Sequence, residues 1–358
     1  MQAMKVAIDA MGGDHAPEAI VEGGVLAAEK LDVDEIILVG DQALIERELA
    51  KYQRRNGAVV SIVHTPQVVE MHESPSRVLR TKRNSSMSVA MDLMKEGKCD
   101  AVITAGNSGA AMAIGMMKLR KLEGVERPAL ASVHPTRSGT SVIIDAGGNV
   151  DCKPIHLIQF AIMGEIYARV VLGKHRPRVG LLSNGTEDSK GNELTKQVHA
   201  TLKESRLHYI GNVEGGDISS GKIDVIVCDG FAGNVALKTS EGIADSLIAM
   251  LKAEIHKSLW AKIGYFFMKK AQENVKRRID YEEYGGVPLL GVNGACFICH
   301  GHSSSKAIKN AVRVACEYVR RDINRLVTEA MGESHDLKRF SMERASRMWS
   351  QFKKRVRH

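Results

Sequence analysis

The chain has 358 residues, 44% of them hydrophobic, 26% charged and 4% aromatic, with a formal net charge of +8. This is enough for one large core or two smaller ones, and the composition is that of a packed globule rather than a disordered chain. No charge-free apolar run approaches the roughly eighteen residues of a membrane span, and the start MQAMKVAID lacks the pattern of a signal peptide, so a cytoplasmic location is expected.

Short apolar runs alternate with longer stretches of helical period along the chain. KVAID (5–9) predicts a strand, Pro17–Lys30 a helix, and EIILVG (35–40) and VVSIVH (59–64) two further strands. Met87–Gly97 has helical period; DAVITA (100–105), ALASV (129–133) and SVIID (141–145) read as strands; Ile155–Leu172 reads as a helix. VGLLS (179–183) and DVIVC (224–228) are the last clear strand signals, and between them Asn192–Lys196 opens a helix. The alternation argues for βαβ units, and strands that are continuously apolar suit a sheet covered on both faces. The predicted fold is α/β, with a mainly parallel sheet covered on both faces.

Four strands run directly into related loops: IDAMGGDH (8–15), ITAGNSGA (103–110), IDAGGNVD (144–151) and VCDGFAGNVA (227–236). Each joins an apolar strand end to a Gly/Asn-rich turn. In a parallel sheet such ends share one edge, so the four turns are expected to line one cleft suited to an anion. The stretch GLLSNGTEDSKGNELTK (180–196) adds Lys190 and Lys196 around amides and hydroxyls, a set that suits a phosphate. The same residues also fit an exposed turn with an asparagine helix cap.

The basic charge is localised. Lys252–Arg278 holds eight basic residues against Glu254 and Glu273, and the tail from Glu333 holds eight against three acidic ones. The remaining body is therefore slightly acidic. Within IHKSLWAKIGYFFMKKA (255–271), Ile255, Leu259, Ile263, Phe266 and Phe267 recur at helical spacing beside Trp260, with Lys269 and Lys270 at the border. Such a segment suits a core helix or dimer contact, and equally an amphipathic helix meeting a membrane surface or an acidic partner.

Other chemistries are disfavoured. Cys296-Phe-Ile-Cys299-His300 has the spacing of haem attachment, but that needs export, and a zinc site lacks a second ligand pair; the six cysteines read as small buried hydrophobes. No metal is expected. The glycine pair Gly12-Gly13 does not complete a dinucleotide fingerprint, and Walker and nucleophile-elbow motifs are absent from the sequence. No nucleic-acid module accompanies the basic tail.

Ten motifs in order, VAIDAMGGDHAP, RNSSMSVA, ITAGNSGA, RPALA, DAGGNVDCKP, GLLSNGTEDSKGNELTK, GNVEGGDI, DGFAGNVALKT, YGGVPLLG and HGHSSSKA, together resemble the bacterial acyl-[acyl-carrier-protein]:phosphate acyltransferases, the PlsX family, from about residue 4 to 330. The chain departs locally, with cysteines and Phe297 where the family more often has aliphatic residues, and the tail beyond 332 lies outside the resemblance. The resemblance implies transfer of a long-chain acyl group from acyl carrier protein to inorganic phosphate, with no cofactor. The acyl phosphate product feeds glycerol-3-phosphate acylation in phospholipid synthesis. It also implies a doubly wound three-layer α/β/α sandwich with a mainly parallel sheet, similar to phosphotransacetylase and isocitrate dehydrogenase, and a homodimer. The core would be residues 1–332, in lobes of roughly 1–150 and 151–332 with a cleft between, carrying the amphipathic segment 250–282 and followed by the tail 333–358. Neighbouring classes are an acyl-CoA-using phosphotransacylase and a metal- and NAD(P)-dependent decarboxylating dehydrogenase.

Phosphate is itself a nucleophile and a thiolate leaves readily, so the chemistry needs positioning and oxyanion donors more than acid–base groups. The candidate catalytic residues are Lys190, Asn192, Asn107, Ser108 and His15. Gly106, Gly109, Asn149, Thr186, Glu193, Lys196, Asp229 and Asn234 are candidate phosphate or substrate contacts, and Asp9, Gly12, Gly13 and Asp14 brace the first loop. Trp260, Ile263, Phe266, Phe267, Lys269 and Lys270 are candidates for contact with the membrane or the carrier protein; peripheral association with the membrane or with the membrane-bound glycerol-3-phosphate acyltransferase is a further expectation.

Overall fold

The computed structural model describes residues 3–52 and 57–334; the basic tail expected at 333–358 lies, from residue 335 on, outside the described residues. Eleven strands among them form one sheet: β1 (Lys5–Asp9), β2 (Glu35–Gly40), β3 (Val59–His64), β4 (Ala101–Thr104), β5 (Ala129–Thr136), β6 (Gly139–Ile144), β7 (Val179–Leu182), β8 (Tyr209–Val213), β9 (Val225–Val227), β10 (Val287–Leu290) and β11 (Ala295–Ile298). Their spatial order is β3-β2-β1-β4-β11-β10-β5-β6-β9-β7-β8. The central strands are buried end to end because helices cover both faces, while the edge strand β3 is only partly covered. The expected three-layer, mainly parallel architecture is the one observed.

The sheet is not parallel throughout. β11–β10, β10–β5 and β5–β6 pair antiparallel, and every other neighbour pair is parallel. Three reversals in a row turn the direction of everything beyond them. The carboxyl ends of β1, β4 and β11 therefore point one way, and those of β6, β9 and β7 the other. This corrects the expectation that four turns share one edge. The first two belong to one edge and the last two to the opposite edge.

Winding also reverses between β1 and β4, since β2 lies on one side of β1 and β4 on the other. In open α/β sheets the crevice beyond such a switch point receives ligands. The helix Ser108–Lys118 leaves β4 at this point and lies back over the sheet, where a Cβ on its Gly115 would stand 3.2 Å from Leu289 of β10. That crossing carries Met112 of the helix to the glycine turn after β6, where a Cβ on Gly148 would meet it. The sheet runs without interruption past residue 150, and β10 and β11, from the far end of the sequence, occupy its centre.

The segment expected as one amphipathic helix is broken. Gly230–Lys257, Leu259–Phe267 and Lys269–Ile279 are separate helices, interrupted at Ser258, whose Oγ accepts from Ala261 N, and at Met268. Leu259, Trp260, Ile263, Phe266 and Phe267 are exposed, Trp260 by 83% and Phe267 by 80%, so among the described residues this apolar face is left uncovered and is not that of a core helix. No helix among the described residues is long and apolar enough to cross a membrane.

Candidate active site

The first loop is built by close approach. Asp9 ends β1 fully buried, where its Oδ2 accepts from Thr104 Oγ1 at 2.7 Å, and Thr104 Oγ1 in turn accepts from Gly106 N at 3.1 Å. Burial pushes the Asp9 carboxyl above its usual range, against the lowering effect of Ser86, Thr104 and Met11. A Cβ on Gly12 would lie 2.5 Å from Asp9 Oδ2 and 2.8 Å from Gly106 N, and Gly13 has φ 106°, so both glycines are required by backbone packing. The glycine pair is the seam between the β1 and β4 turns.

Asp14 and His15 face the β11 turn. Asp14 N donates to Gly301 O at 2.8 Å, Asp14 Oδ2 pairs with His302 Nδ1 at 2.7 Å, and the His15 and His302 rings are 6.1 Å apart. His300 completes the group, with Lys238 Nζ 3.1 Å from its Nε2; burial and then Lys238 hold its pKa below the ordinary value. His300, His302 and Lys238 carry no assignment from the sequence, although HGHSSSKA and DGFAGNVALKT contain them. Among the described residues no cluster of His, Cys, Asp and Glu has the makings of a metal site.

Asn107 caps the helix Ser108–Lys118: its Oδ1 accepts from Ala110 N at 3.0 Å, and its Nδ2 donates to Met71 O and Glu73 O. Its side chain therefore holds the turn rather than offering a donor to a ligand. Ser108 and Gly109, the first helical residues, are exposed, and with them the helix amino terminus.

The opposite group of loops is centred on Asp145, a residue the sequence reading passed over inside DAGGNVD. Its carboxylate is buried and accepts from Leu130 N (2.9 Å), Gly148 N (3.0 Å), Asn149 N (2.5 Å) and Asn149 Nδ2 (2.8 Å). Burial raises its pKa despite these four donors. Asn149 is also buried, and its amide nitrogen donates to Pro128 O as well, so this asparagine fixes the loop. Asp229 caps the next helix through Ala232 N, and Asn234 lies against Gly147.

The turn after β7 stands at this same edge, two strand spacings from β6, or about 10 Å. Thr186, Lys190, Asn192, Glu193 and Lys196 are all exposed there. Asn192 Oδ1 accepts from Thr195 N at 2.9 Å, so it is a helix cap, and the Lys190 stem lies over Gly185. The candidates thus fall into two groups. His15, Asp14 and Asp9 sit with β11, whereas Lys190, Asn192, Asn149, Asp229 and Asn234 sit at the other edge.

Between the groups is a cleft of about 270 Å³ lined by Pro75, Ser108, Gly109, Met112, Ala113, Met116, Leu130, Gly147 and Gly148. It exists because the helix from β4 crosses the sheet: a Cβ on Gly148 would stand 2.8 Å from Met112 Sδ. One end holds the exposed helix amino terminus and a glycine turn, and the rest is methionine, alanine and leucine. Such a space can accept an anion at one end and an alkyl chain along the other.

The chain resembles known proteins over most of its length. A phosphate acyltransferase of Geobacter sulfurreducens is 54% identical over 328 residues, covering 92% of this chain and 94% of the relative. One of Geotalea uraniireducens is 53% identical over 334 residues, covering 93% and 96%. Among solved structures, a phosphotransacetylase from Streptococcus pyogenes superposes with a TM-score of 0.58 at 15% identity, covering 89% of this chain and 94% of the other, and so shares the fold. A family model described as fatty acid synthesis protein matches residues 4–326. The chain therefore belongs to this fatty acid synthesis protein family, the PlsX family, and is an acyltransferase.

Proposed function

We propose that this acyltransferase moves a long-chain fatty acyl group from acyl carrier protein to inorganic phosphate, yielding an acyl phosphate for phospholipid synthesis. The observation that supports this most is the cleft in which an exposed helix amino terminus adjoins an apolar trough. Phosphate is held by the amides at Ser108 and Gly109, the Ser108 hydroxyl and the Gly147–Gly148 turn, with Asn234 behind that turn and Lys190 reaching from the end of β7. The lobe up to residue 150 supplies the lining, and Lys190 and Asn234 come from the lobe beyond it. His15 sits outside this arrangement and serves the first loop.

In the reaction a phosphate oxygen attacks the thioester carbonyl, the C–S bond breaks, and the thiolate leaves with the electron pair and takes up, through water, the proton that the phosphate gives up. The parent thiol has a pKa of about 8.5, so no strong acid is needed. Transfer is direct in this reading. Cys152, beside the Asp145 loop, donates to Asn149 O, and burial, with Asp145 and Asp229 nearby, pushes its thiol up to about 12, which disfavours a thiolate nucleophile. The exposed aromatic arm Leu259–Phe267, followed by Lys269 and Lys270, is the surface we assign to the acidic carrier protein or the membrane, in a homodimer whose product passes to a glycerol-3-phosphate acyltransferase.

The test is incubation with palmitoyl-carrier protein or palmitoyl-CoA, following thiol release. Release that requires phosphate and favours the carrier-protein donor is expected. Equal use of both donors would replace the donor assignment, and release independent of phosphate would end the reading. Lys190→Ala is expected to lower turnover chiefly at low phosphate, and an unchanged rate there removes Lys190 from the site.

A further inference from the structure

The lining of the cleft, from Ser108 to Met116 along one helix, is shorter than an extended palmitoyl chain. The polar end is fixed by Ser108 and Gly109. From there the wall follows one face of the helix Ser108–Lys118, through Met112 and Ala113 to Met116, eight residues on and so about 12 Å along the axis. Leu130, buried at the start of β5, forms the apolar side opposite. Met116 is half-buried, and the next residue, Met117, is 49% exposed. The trough thus ends at a flexible, unbranched side chain next to solvent rather than at a closed wall.

We propose that this trough is the acyl channel and that Met116 is the residue that sets chain-length preference, seating the carboxyl-proximal half of the chain and swinging aside to let the remainder pass. The inference rests on the acyl-transfer reading of the same cleft. Thioether side chains suit such a gate, because their low torsional stiffness lets them repack around chains of different length. Shorter acyl groups fit behind Met116 as it stands, and longer ones require its displacement.

Met116→Trp fills the exit and Met116→Ala opens it. With octanoyl, dodecanoyl and palmitoyl thioesters, Met116→Trp is expected to raise the octanoyl-to-palmitoyl ratio of kcat/KM at least about tenfold, and Met116→Ala to lower it. Parallel changes at all three lengths, or none, would overturn the assignment. Should the tryptophan variant fail to fold, the alanine variant reads the same ratio in the other direction. A palmitoyl thioester carrying a photoreactive group at mid-chain reads the channel without turnover. Cross-links to Met112, Met116 or Leu130 uphold the channel even where no transfer to phosphate is measured, and cross-links elsewhere in a fully active enzyme refute it.

Discussion

Replacing Asp145 by alanine should destabilise the protein through the donors it leaves behind. Leu130 N and Asn149 N are buried and lose their acceptor, at about 1–3 kcal/mol each. Gly148 N is half-buried and reaches water, so it adds little, and Asn149 Nδ2 retains Pro128 O. Burial raises the Asp145 pKa, so removing the carboxylate also relieves a desolvation penalty and returns part of the loss. The expected net loss is about 2–4 kcal/mol. Asp145→Asn keeps one oxygen and should lose about half as much. Urea midpoints followed by circular dichroism measure both. An alanine variant within about 0.5 kcal/mol of the parent would show that the four hydrogen bonds do not hold the glycine turn, and with it the cleft wall.

Two further outcomes follow from burial and exposure. His134, His156 and His300 all have pKa values held below the ordinary 6.5, chiefly by burial. As pH falls below about 6.5 the unfolded chain binds protons that the folded chain refuses, so stability drops on the acid side; His134→Gln, which can still meet Ser219, should flatten that slope in urea midpoints taken from about pH 7 to pH 5. Changing Trp260, Phe266 and Phe267 to serine should leave the urea midpoint unchanged, because all three side chains are exposed, yet reduce flotation with anionic vesicles or affinity for the carrier protein. Survival of both interactions would make the arm a contact between copies of the chain.

The parts of the fold legible in the sequence are those set by local pattern. β1, β2 and β4 are buried on both faces, and a strand with no wet face must be apolar throughout, as VAI, IILV and AVI are. β8 escaped notice because Gly211 and Asn212 interrupt its run, and β10 because Pro288 in VPLL reads as a loop. Strand direction is a long-range property. Nothing in ALASV or VPLL announces three consecutive antiparallel pairings, and so the turns after β4 and β6 gave no sign of pointing to opposite edges. Residue type proved easier to read than residue role. Asn107, Asn149 and Asn192 belong where donors are wanted; the side-chain oxygens of Asn107 and Asn192 also cap helices, the Asn149 side chain braces its loop, and Ser108 lines the cleft. Met112 looks like ordinary helix core, and only the crossing of its helix over the sheet brings it beside Gly148.

The most direct test of phosphate binding at the helix amino terminus is the phosphate KM of Ser108→Asp. Ser108 is the first residue of its helix, where a carboxylate favours helix formation by about 0.3–1 kcal/mol, so the fold is retained while a negative charge occupies the position meant for the anion. The phosphate KM should rise at least about tenfold, equivalent to about 1.4 kcal/mol, with the thioester KM nearly unchanged. An active variant whose phosphate KM matches the parent would contradict the account and move the anion elsewhere.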